Sequence, residues 1–119
     1  MHLEPYALCT TSAVYSVAEA ACEALGVGLV TIEDDTENRA IAQLVYQNYD
    51  TDLWIGYTDR REEGTWEWVD GTVSEYTAWY SGEPNDSGGE DCAAMYGTLG
   101  YVWNDLPCET YALPFLCER

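Results

Sequence analysis

The chain has 119 residues, enough for one domain with a real core, and 47% of them are hydrophobic. Four basic residues stand against 22 acidic ones, which gives a formal net charge of -18 at pH 7. That charge argues against partners such as nucleic acid or an anionic membrane surface, because both would repel it. It favours cations, basic partners or a salty environment. No apolar run approaches the roughly 18 residues of a membrane span, so we expect no membrane insertion.

The first half of the chain predicts two helices separated by a short strand. Residues 16–19 read as a capping box, and the helix that they open is expected to end at Gly26. A strand is predicted over residues 29–32. Asp34 or Asp35 then caps a second helix, whose apolar residues at core spacing are Ile41, Leu44 and Val45.

The second half predicts mostly antiparallel strands with long glycine-rich loops. Strands are expected over residues 52–57, 65–69, 72–76, 92–96, 101–104 and 115–118. Asp70 and Gly71 are a tight-turn signal between the second and third of these. The tryptophans at 54, 66, 68 and 103 lie on or beside strands, so we expect them in the core. The loops run from residue 80 to 91 and from 97 to 100, and long loops in a compact domain are usually functional.

The cysteines indicate the compartment and argue against catalysis. Five cysteines in so short a chain are typical of an oxidising environment, so we expect a secreted or extracellular protein. The odd count leaves one thiol over, and the sequence alone leaves the pairing open. The only histidine is His2, and no Cys-x-x-Cys pair occurs. This argues against a zinc site and against Ser-His-Asp or Cys-His catalysis, so we do not expect an enzyme.

Residues 83–92, EPNDSGGEDC, hold four acids within ten residues. Like charges repel, so this stretch is either a solvated acidic turn or the binding site of a cation. Calcium takes about six to eight oxygen ligands in irregular geometry, and the carboxylates and amide carbonyls of a loop suit it. A glycosidase would use two such carboxylates as acid and base, which an ion bound to them would prevent.

Short motifs occur along the chain in a characteristic order. They are Cys22, Trp54-Ile-Gly-Tyr57, Trp66-Glu-Trp68 with Asp70-Gly71, Glu83-Pro-Asn85, Glu90-Asp-Cys92, Trp103-Asn-Asp105, Cys108 and Cys117. In this order and at these spacings they resemble a C-type lectin domain, of the Glu-Pro-Asn mannose type, over residues 6–119. The resemblance implies an α+β fold whose termini meet, with two helices, two small antiparallel sheets and a long calcium-binding loop region. We expect a single such domain over residues 1–119.

The same resemblance implies the disulfide pairing. It predicts the bridges Cys22–Cys117 and Cys92–Cys108, the first between the first helix and the final strand and the second across the loop region. Each is worth about 3 to 5 kcal/mol by chain entropy. Cys9 is then left over. We expect a buried thiol in the first strand, with a bridge between chains as the alternative.

The resemblance further implies one or two bound calcium ions. The residues expected to hold the sugar-linked ion, and to bind the carbohydrate, are Glu83, Asn85, Glu90, Asn104 and Asp105. Those expected to hold an auxiliary ion are Asp59, Glu63, Asp86, Glu90 and Asp91. A cis peptide bond before Pro84 belongs to the same motif. Seven of the 22 acids belong to these two sites, so calcium does not account for the overall charge.

The implied function is calcium-dependent binding of glycans or monosaccharides. Glu83 with Asn85, and Glu90 with Asn104, would each flank one sugar hydroxyl, because a carboxylate accepts a hydrogen bond and an amide donates one. In the family, Glu-Pro-Asn goes with mannose, fucose, glucose or N-acetylglucosamine. Gln-Pro-Asp goes with galactose, usually beside a stacking aromatic residue. Residues 86–89 contain no aromatic residue, although Tyr80 and Tyr101 lie nearby.

Two alternatives stay open at this stage. One is a galactose-type site in which Tyr80 or Tyr101 stacks on the sugar. The other is a domain of the same fold that recognises protein, mineral or ice, which the excess of acidic residues favours. For a mannose-type and a galactose-type site alike, a useful overall affinity requires several copies of the domain, through oligomerisation or a larger parent protein.

Overall fold

A computed structural model describes residues 2–3, 6–48, 52–62, 64–80, 82, 91–96 and 102–118, with no side chains described for 2–3 and 45–48. Its helices are α1 (Tyr15–Ala24) and α2 (Asp35–Asn48). Its strands are β1 (His2–Leu3), β2 (Tyr6–Ala13), β3 (Gly28–Leu29), β4 (Asp52–Thr58), β5 (Glu67–Trp68), β6 (Cys92–Tyr96), β7 (Val102–Leu106) and β8 (Leu113–Glu118). In this described part of the chain, neither helix is long and apolar enough to cross a membrane.

The strands form one sheet in the order β1-β2-β8-β4-β6-β7, with β3 paired to β8 and β5 to β4. Every strand pair is antiparallel except β4 with β8, which run parallel at Trp54 and Phe115. The predicted α+β class, with two helices and mostly antiparallel strands, is confirmed. The two small sheets of the resemblance are joined here into one by that parallel pair. Because Tyr6 pairs with Glu118, the two ends of the chain lie side by side.

The sequence predicted three helix ends, and two of them agree with the structure. α1 ends as predicted, because Gly26 has a φ of 79°. The Gly26 N–H donates to the Glu23 carbonyl, and the Val27 N–H donates to the Cys22 carbonyl. Asp34 caps α2, accepting from the Glu37 N–H at 2.8 Å. The capping box at the start of α1 is wrong. Ser16 lies inside the helix and donates to the Glu109 carboxylate at 2.9 Å, so it has no capping role.

Four strand predictions differ from the structure, one of them over residues 65–69, where only β5 forms. β2 carries the exposed polar run Thr10 to Ser12, so its sequence lacks the alternation that marks a strand. Only the resemblance implied a strand here, in the expected position of Cys9, and no bounds were predicted. The predicted strand at 29–32 shortens to β3, although its remaining residues are buried. Residues 72–76 form no strand. Ser74 instead donates to the Glu33 carbonyl at 2.8 Å, and Val73 is 95% exposed.

The core and the disulfides follow the predictions. Trp54, Trp68 and Trp103 are buried, and Trp66 packs partly buried against the same core. Both implied disulfides are present in the structure, Cys22–Cys117 and Cys92–Cys108. Cys9 is a free cysteine on β2, half-buried rather than fully buried.

The middle of β4 is packed so closely that it requires glycine. Gly56 donates to the Val30 carbonyl and accepts from the Val69 N–H, both at 2.8 Å. A methyl group at this position would lie 2.8 Å from Val69 Cγ2 and 3.0 Å from each of the carbonyl oxygens of Leu29 and Val30. Backbone oxygens cannot rotate away, so β4 would have to shift.

We expect Gly56→Ala to lower the free energy of unfolding by about 2 to 3 kcal/mol, as overpacking of a core does. Urea denaturation measures it. Gly28→Ala is the matched control, because nothing lies within 4 Å of a methyl group there. Adding Val69→Ala to Gly56→Ala should restore only part of the loss, since the two carbonyl contacts remain. Equal stability of the two single variants would show that β4 is not closely held.

Candidate functional site

The strands β4, β6 and β7 reach one end of the sheet together, and there they bring Asp59 and Asp91 side by side. We call this end of the sheet, with Asp59 and Asp91, the acidic edge. In the register, Thr58 of β4 pairs with Cys92 of β6, which pairs in turn with Leu106 of β7. Asp59 and Asp91 are the next residues beyond this pair, and the Asp59 N–H donates to the Asp91 carbonyl at 3.1 Å. The Cys92–Cys108 disulfide fixes the same edge. Residues that are 32 positions apart in sequence are thus held side by side.

Asp59 is a buried carboxylate with half of its acceptor capacity unused. The side chain is 2% exposed. Its Oδ2 accepts from the Gly64 N–H at 2.9 Å, whereas Oδ1 accepts no hydrogen bond from any described residue. An ionised carboxylate taken out of water is costly unless a cation or several donors compensate it. The arrangement is therefore one that a cation would stabilise.

Asn104 and Asp105 lie on β7, the last strand of the sheet path. Consecutive side chains of a strand point to opposite faces, and accordingly Asn104 is half-buried while Asp105 is fully buried. Asn104 Nδ2 donates to the Tyr96 hydroxyl at 2.9 Å, and its buried Oδ1 accepts nothing from the described part of the chain.

Tyr96 is a site residue that the sequence analysis missed. It lies on β6, two residues after Ala94, the partner of Asn104 in the register. Its hydroxyl holds the amide that was predicted to contact both ion and sugar. The sequence predicted a strand over residues 92–96, but only the register shows that Tyr96 reaches Asn104.

Arg60 follows Asp59 directly but turns away from it. Its Nη2 contacts both carboxylate oxygens of Glu19 on α1, at 3.1 and 3.3 Å, and its guanidinium carbon lies 4.9 Å from the centre of the Tyr15 ring. Burial raises the pKa of the Tyr15 phenol; the nearby Glu19 raises it further and Arg60 opposes this. Arg60 thus ties the chain segment that follows β4 to α1 and pairs with Glu19, not with the Asp59 carboxylate.

A groove of about 580 Å³ runs beside this segment and does not include the acidic edge. It is lined partly by Arg60 and Arg61, which pair with Glu19 and Glu67. Each pair is partly exposed, so it adds little to stability, and the two pairs together leave the groove electrically balanced.

The remaining predicted ligands cannot be placed. Glu63, Glu83, Asn85, Asp86 and Glu90 lie outside the described residues, as do Pro84 and Tyr101. The structure places Asp59, Asp91, Asn104 and Asp105. Within the described ranges, no three histidine, cysteine or acidic residues gather closely enough to hold a metal ion by themselves.

Comparison with known proteins agrees with this geometry. Residues 11–119 match the family model of the lectin C-type domain. The chain belongs to the C-type lectin domain family. A curated relative, the C-type lectin mannose-binding isoform of Notechis scutatus scutatus, is 36% identical over 97 residues, which are 78% of this chain and 61% of the relative. The chain spans 61% to 64% of the length of several curated relatives.

Solved structures of C-type lectin domains share the whole fold. The carbohydrate-recognition domain of the mouse scavenger receptor C-type lectin has a TM-score of 0.85 and 31% identity, covering 96% of this chain and 86% of that one. A calcium-independent type II antifreeze protein has the same TM-score of 0.85 with 28% identity, covering 96% and 84%. Proteins with this fold therefore include members that differ in what they bind. They act by binding and not by catalysis.

The described part of the site fits calcium, which members of the C-type lectin family generally bind. Its donor atoms are carboxylate and amide oxygens, the ligands that calcium prefers. The Oδ1 atoms of Asp59 and Asn104 are buried and accept no hydrogen bond from the described residues. The three described arginines pair elsewhere, with Asp35, Glu19 and Glu67.

We expect Asp59→Asn to leave the calcium-free protein at least as stable as wild type and to make the calcium-loaded protein less stable than wild type. In excess chelator the variant should melt at the same temperature as wild type or higher, because a buried charge is removed. With calcium at about 100 times its dissociation constant, wild type should gain about 2.7 kcal/mol and the variant clearly less. Thermal melts with and without calcium measure both effects.

Asp34→Asn is the matched control, since Asp34 is an exposed helix cap and asparagine caps a helix equally well. It should respond to calcium as wild type does. If Asp59→Asn gains as much from calcium as this control, Asp59 is not part of a calcium site.

Proposed function

We propose that this chain, as a single module over residues 1–119, binds mannose-type glycans in a calcium-dependent manner. The proposed carbohydrate and sugar-linked calcium residues are Glu83, Asn85, Glu90, Asn104 and Asp105. The proposed auxiliary calcium residues are Asp59, Glu63, Asp86, Glu90 and Asp91. The observation that carries the proposal is Asn104, whose buried Oδ1 accepts no hydrogen bond from the described residues while its amide nitrogen is held by Tyr96.

The two ends of the Asn104 amide suit two different partners. The oxygen is a ligand of the kind that calcium takes. The nitrogen carries two hydrogens, of which Tyr96 accepts one, so the other remains to donate to a sugar hydroxyl. When bound, calcium supplies coordination positions for two neighbouring hydroxyls of the sugar. Asn104 then acts on ion and sugar at once without changing its contact with Tyr96.

The sugar class follows from the arrangement of acceptors and donors. Glu83 and Asn85 in the order Glu-Pro-Asn favour neighbouring equatorial hydroxyls, as in mannose, fucose, glucose or N-acetylglucosamine. The name of the Notechis relative, a mannose-binding isoform, supports the same class. A single sugar makes few contacts at a site open to water, so we expect an affinity near 1 mM, about -4 kcal/mol.

Such weak binding is useful only when many copies act together. We therefore propose that the module works in a multivalent form, through oligomerisation or as part of a longer protein. Two disulfides fit a secreted or extracellular protein.

A second candidate function is recognition of a surface other than a sugar. The likeness to an antifreeze protein favours ice, and the net charge of -18 favours basic proteins or calcium minerals. In that case the acidic edge would contribute to the surface as a whole, and no individual sugar would compete.

We expect the protein to be retained on immobilised mannose in the presence of calcium and to be released by a chelator. Free mannose, fucose and N-acetylglucosamine should elute it, and galactose should not. The protein passed over an uncoupled matrix is the control. Elution by galactose alone would replace the mannose-type assignment, and retention that no sugar reverses would favour the second candidate.

We expect Tyr96→Phe to weaken sugar binding about three- to tenfold while calcium binding is retained, because one hydrogen bond that orients the Asn104 amide is lost. Tyr76→Phe is the matched control: it also removes a phenol hydrogen bond, in this case to Asp35 at 3.0 Å. Titration with mannose and with calcium separates the two effects. Equal sugar affinity of the two variants would show that Tyr96 does not position Asn104.

A further inference from the structure

Tyr80 is a large aromatic residue that the core does not use. Its side chain is 46% exposed. Among the described residues its ring contacts no other aromatic ring, and its hydroxyl makes no hydrogen bond, whereas Trp66, Trp68, Trp79 and Trp103 pack against one another or against Tyr57. Exposure alone means little, because single apolar residues are common on protein surfaces. What singles out Tyr80 is its register.

The backbone places Tyr80 directly beside Asn104. Trp79 forms a parallel bridge with Trp103, in which the Trp103 N–H donates to the Ala78 carbonyl and the Tyr80 N–H donates to the Trp103 carbonyl, both at 2.8 Å. The next residue on each segment is Tyr80 on one and Asn104 on the other. Neighbouring strands lie about 4.8 Å apart, so these two residues are within side-chain contact distance.

The same register decides which way the Tyr80 side chain points. Residues paired in a parallel bridge send their side chains to one face, and the next residues send theirs to the other. The Trp79 and Trp103 rings face the core together, with centroids 5.9 Å apart. Tyr80 and Asn104 therefore share the opposite face, where Asn104 also meets Tyr96. Asn104 is flanked by a tyrosine on either side.

We propose that Tyr80 forms the aromatic wall of the sugar site and contacts the apolar C–H face of the sugar whose hydroxyl Asn104 binds. The inference rests on the proposed function and adds to it a residue that belongs to neither calcium site. Asn104 fixes the hydroxyl edge of the sugar, and Tyr80 covers its C–H face. Covering roughly 50 Å² of apolar surface corresponds to about a five- to tenfold gain in affinity.

The contact also bears on specificity. A ring beside Asn104 favours sugars that present C–H groups on the side facing Tyr80, independently of which two hydroxyls the Glu-Pro-Asn motif selects. Tyr80 thus refines the choice among mannose-type sugars without changing the class.

The test compares Tyr80→Ala with Tyr80→Phe. Titration with the methyl glycoside of mannose in calcium should show about a five- to tenfold loss for Tyr80→Ala and little loss for Tyr80→Phe, because the ring and not the hydroxyl makes the contact. Tyr111→Ala is the matched control: Tyr111 is 50% exposed and lies between β7 and β8, with no register to Asn104. Saturation-transfer NMR should show the sugar C–H protons receiving saturation from wild type and much less from Tyr80→Ala.

Each outcome decides the matter. If wild type binds mannose reversibly and Tyr80→Ala binds equally well, the Tyr80 contact is wrong and the proposed function stands. A Tyr80→Ala loss that comes with weaker calcium stabilisation in thermal melts would make Tyr80 a structural residue and also overturn the inference. If wild type itself binds no sugar in calcium, both the proposed function and the inference fail.

Discussion

The position of β4 is the constraint on which the rest of the structure depends. This strand pairs with β5, β6 and β8, and its parallel contact with β8 joins the strands into one sheet. Gly56 lets the chain at Leu29 and Val30 approach its middle, and the Thr58–Cys92 pair aligns its end with β6. The acidic edge exists because β4 ends where it does. A shift of one residue would exchange the two faces of β4 and separate Asp59 from Asp91.

The charge of the chain makes that edge costly without a counter-charge. All three described arginines form ion pairs at the surface, so they offset few of the 22 acids and none of them neutralises Asp59. Repulsion between exposed carboxylates is screened by salt, but a buried carboxylate is screened far less. The proposed calcium ion would therefore change stability most at Asp59.

The sequence predicted what repeats regularly and missed what depends on long-range pairing. Helix ends with a clear local signal, Gly26 and Asp34, were confirmed, and so were the buried tryptophans. The local sequence pattern missed β2 because its polar residues lie on an exposed stretch, and only the resemblance implied a strand around Cys9. Of the candidate site, the resemblance predicted Asn104 and Asp105, but no local pattern indicates that Tyr96 and Tyr80 flank Asn104. Those neighbours come from the register of β6 and from a single bridge at Trp79, which local sequence patterns do not encode.

The residues proposed for ion stabilisation and those proposed for sugar recognition lie on different strands. Asp59 and Asp91 meet through the backbone at the ends of β4 and β6, so the proposed auxiliary ion would act on the centre of the sheet. Asn104 lies on β7, the last strand of the sheet path, in contact with Tyr96 and next to the Trp79–Trp103 bridge that leads to Tyr80. Free-energy changes from mutations at well-separated sites usually add unless a shared partner couples the sites. Glu90, which the resemblance assigns to both calcium sites, is the one residue whose replacement should couple loss of stability to loss of binding.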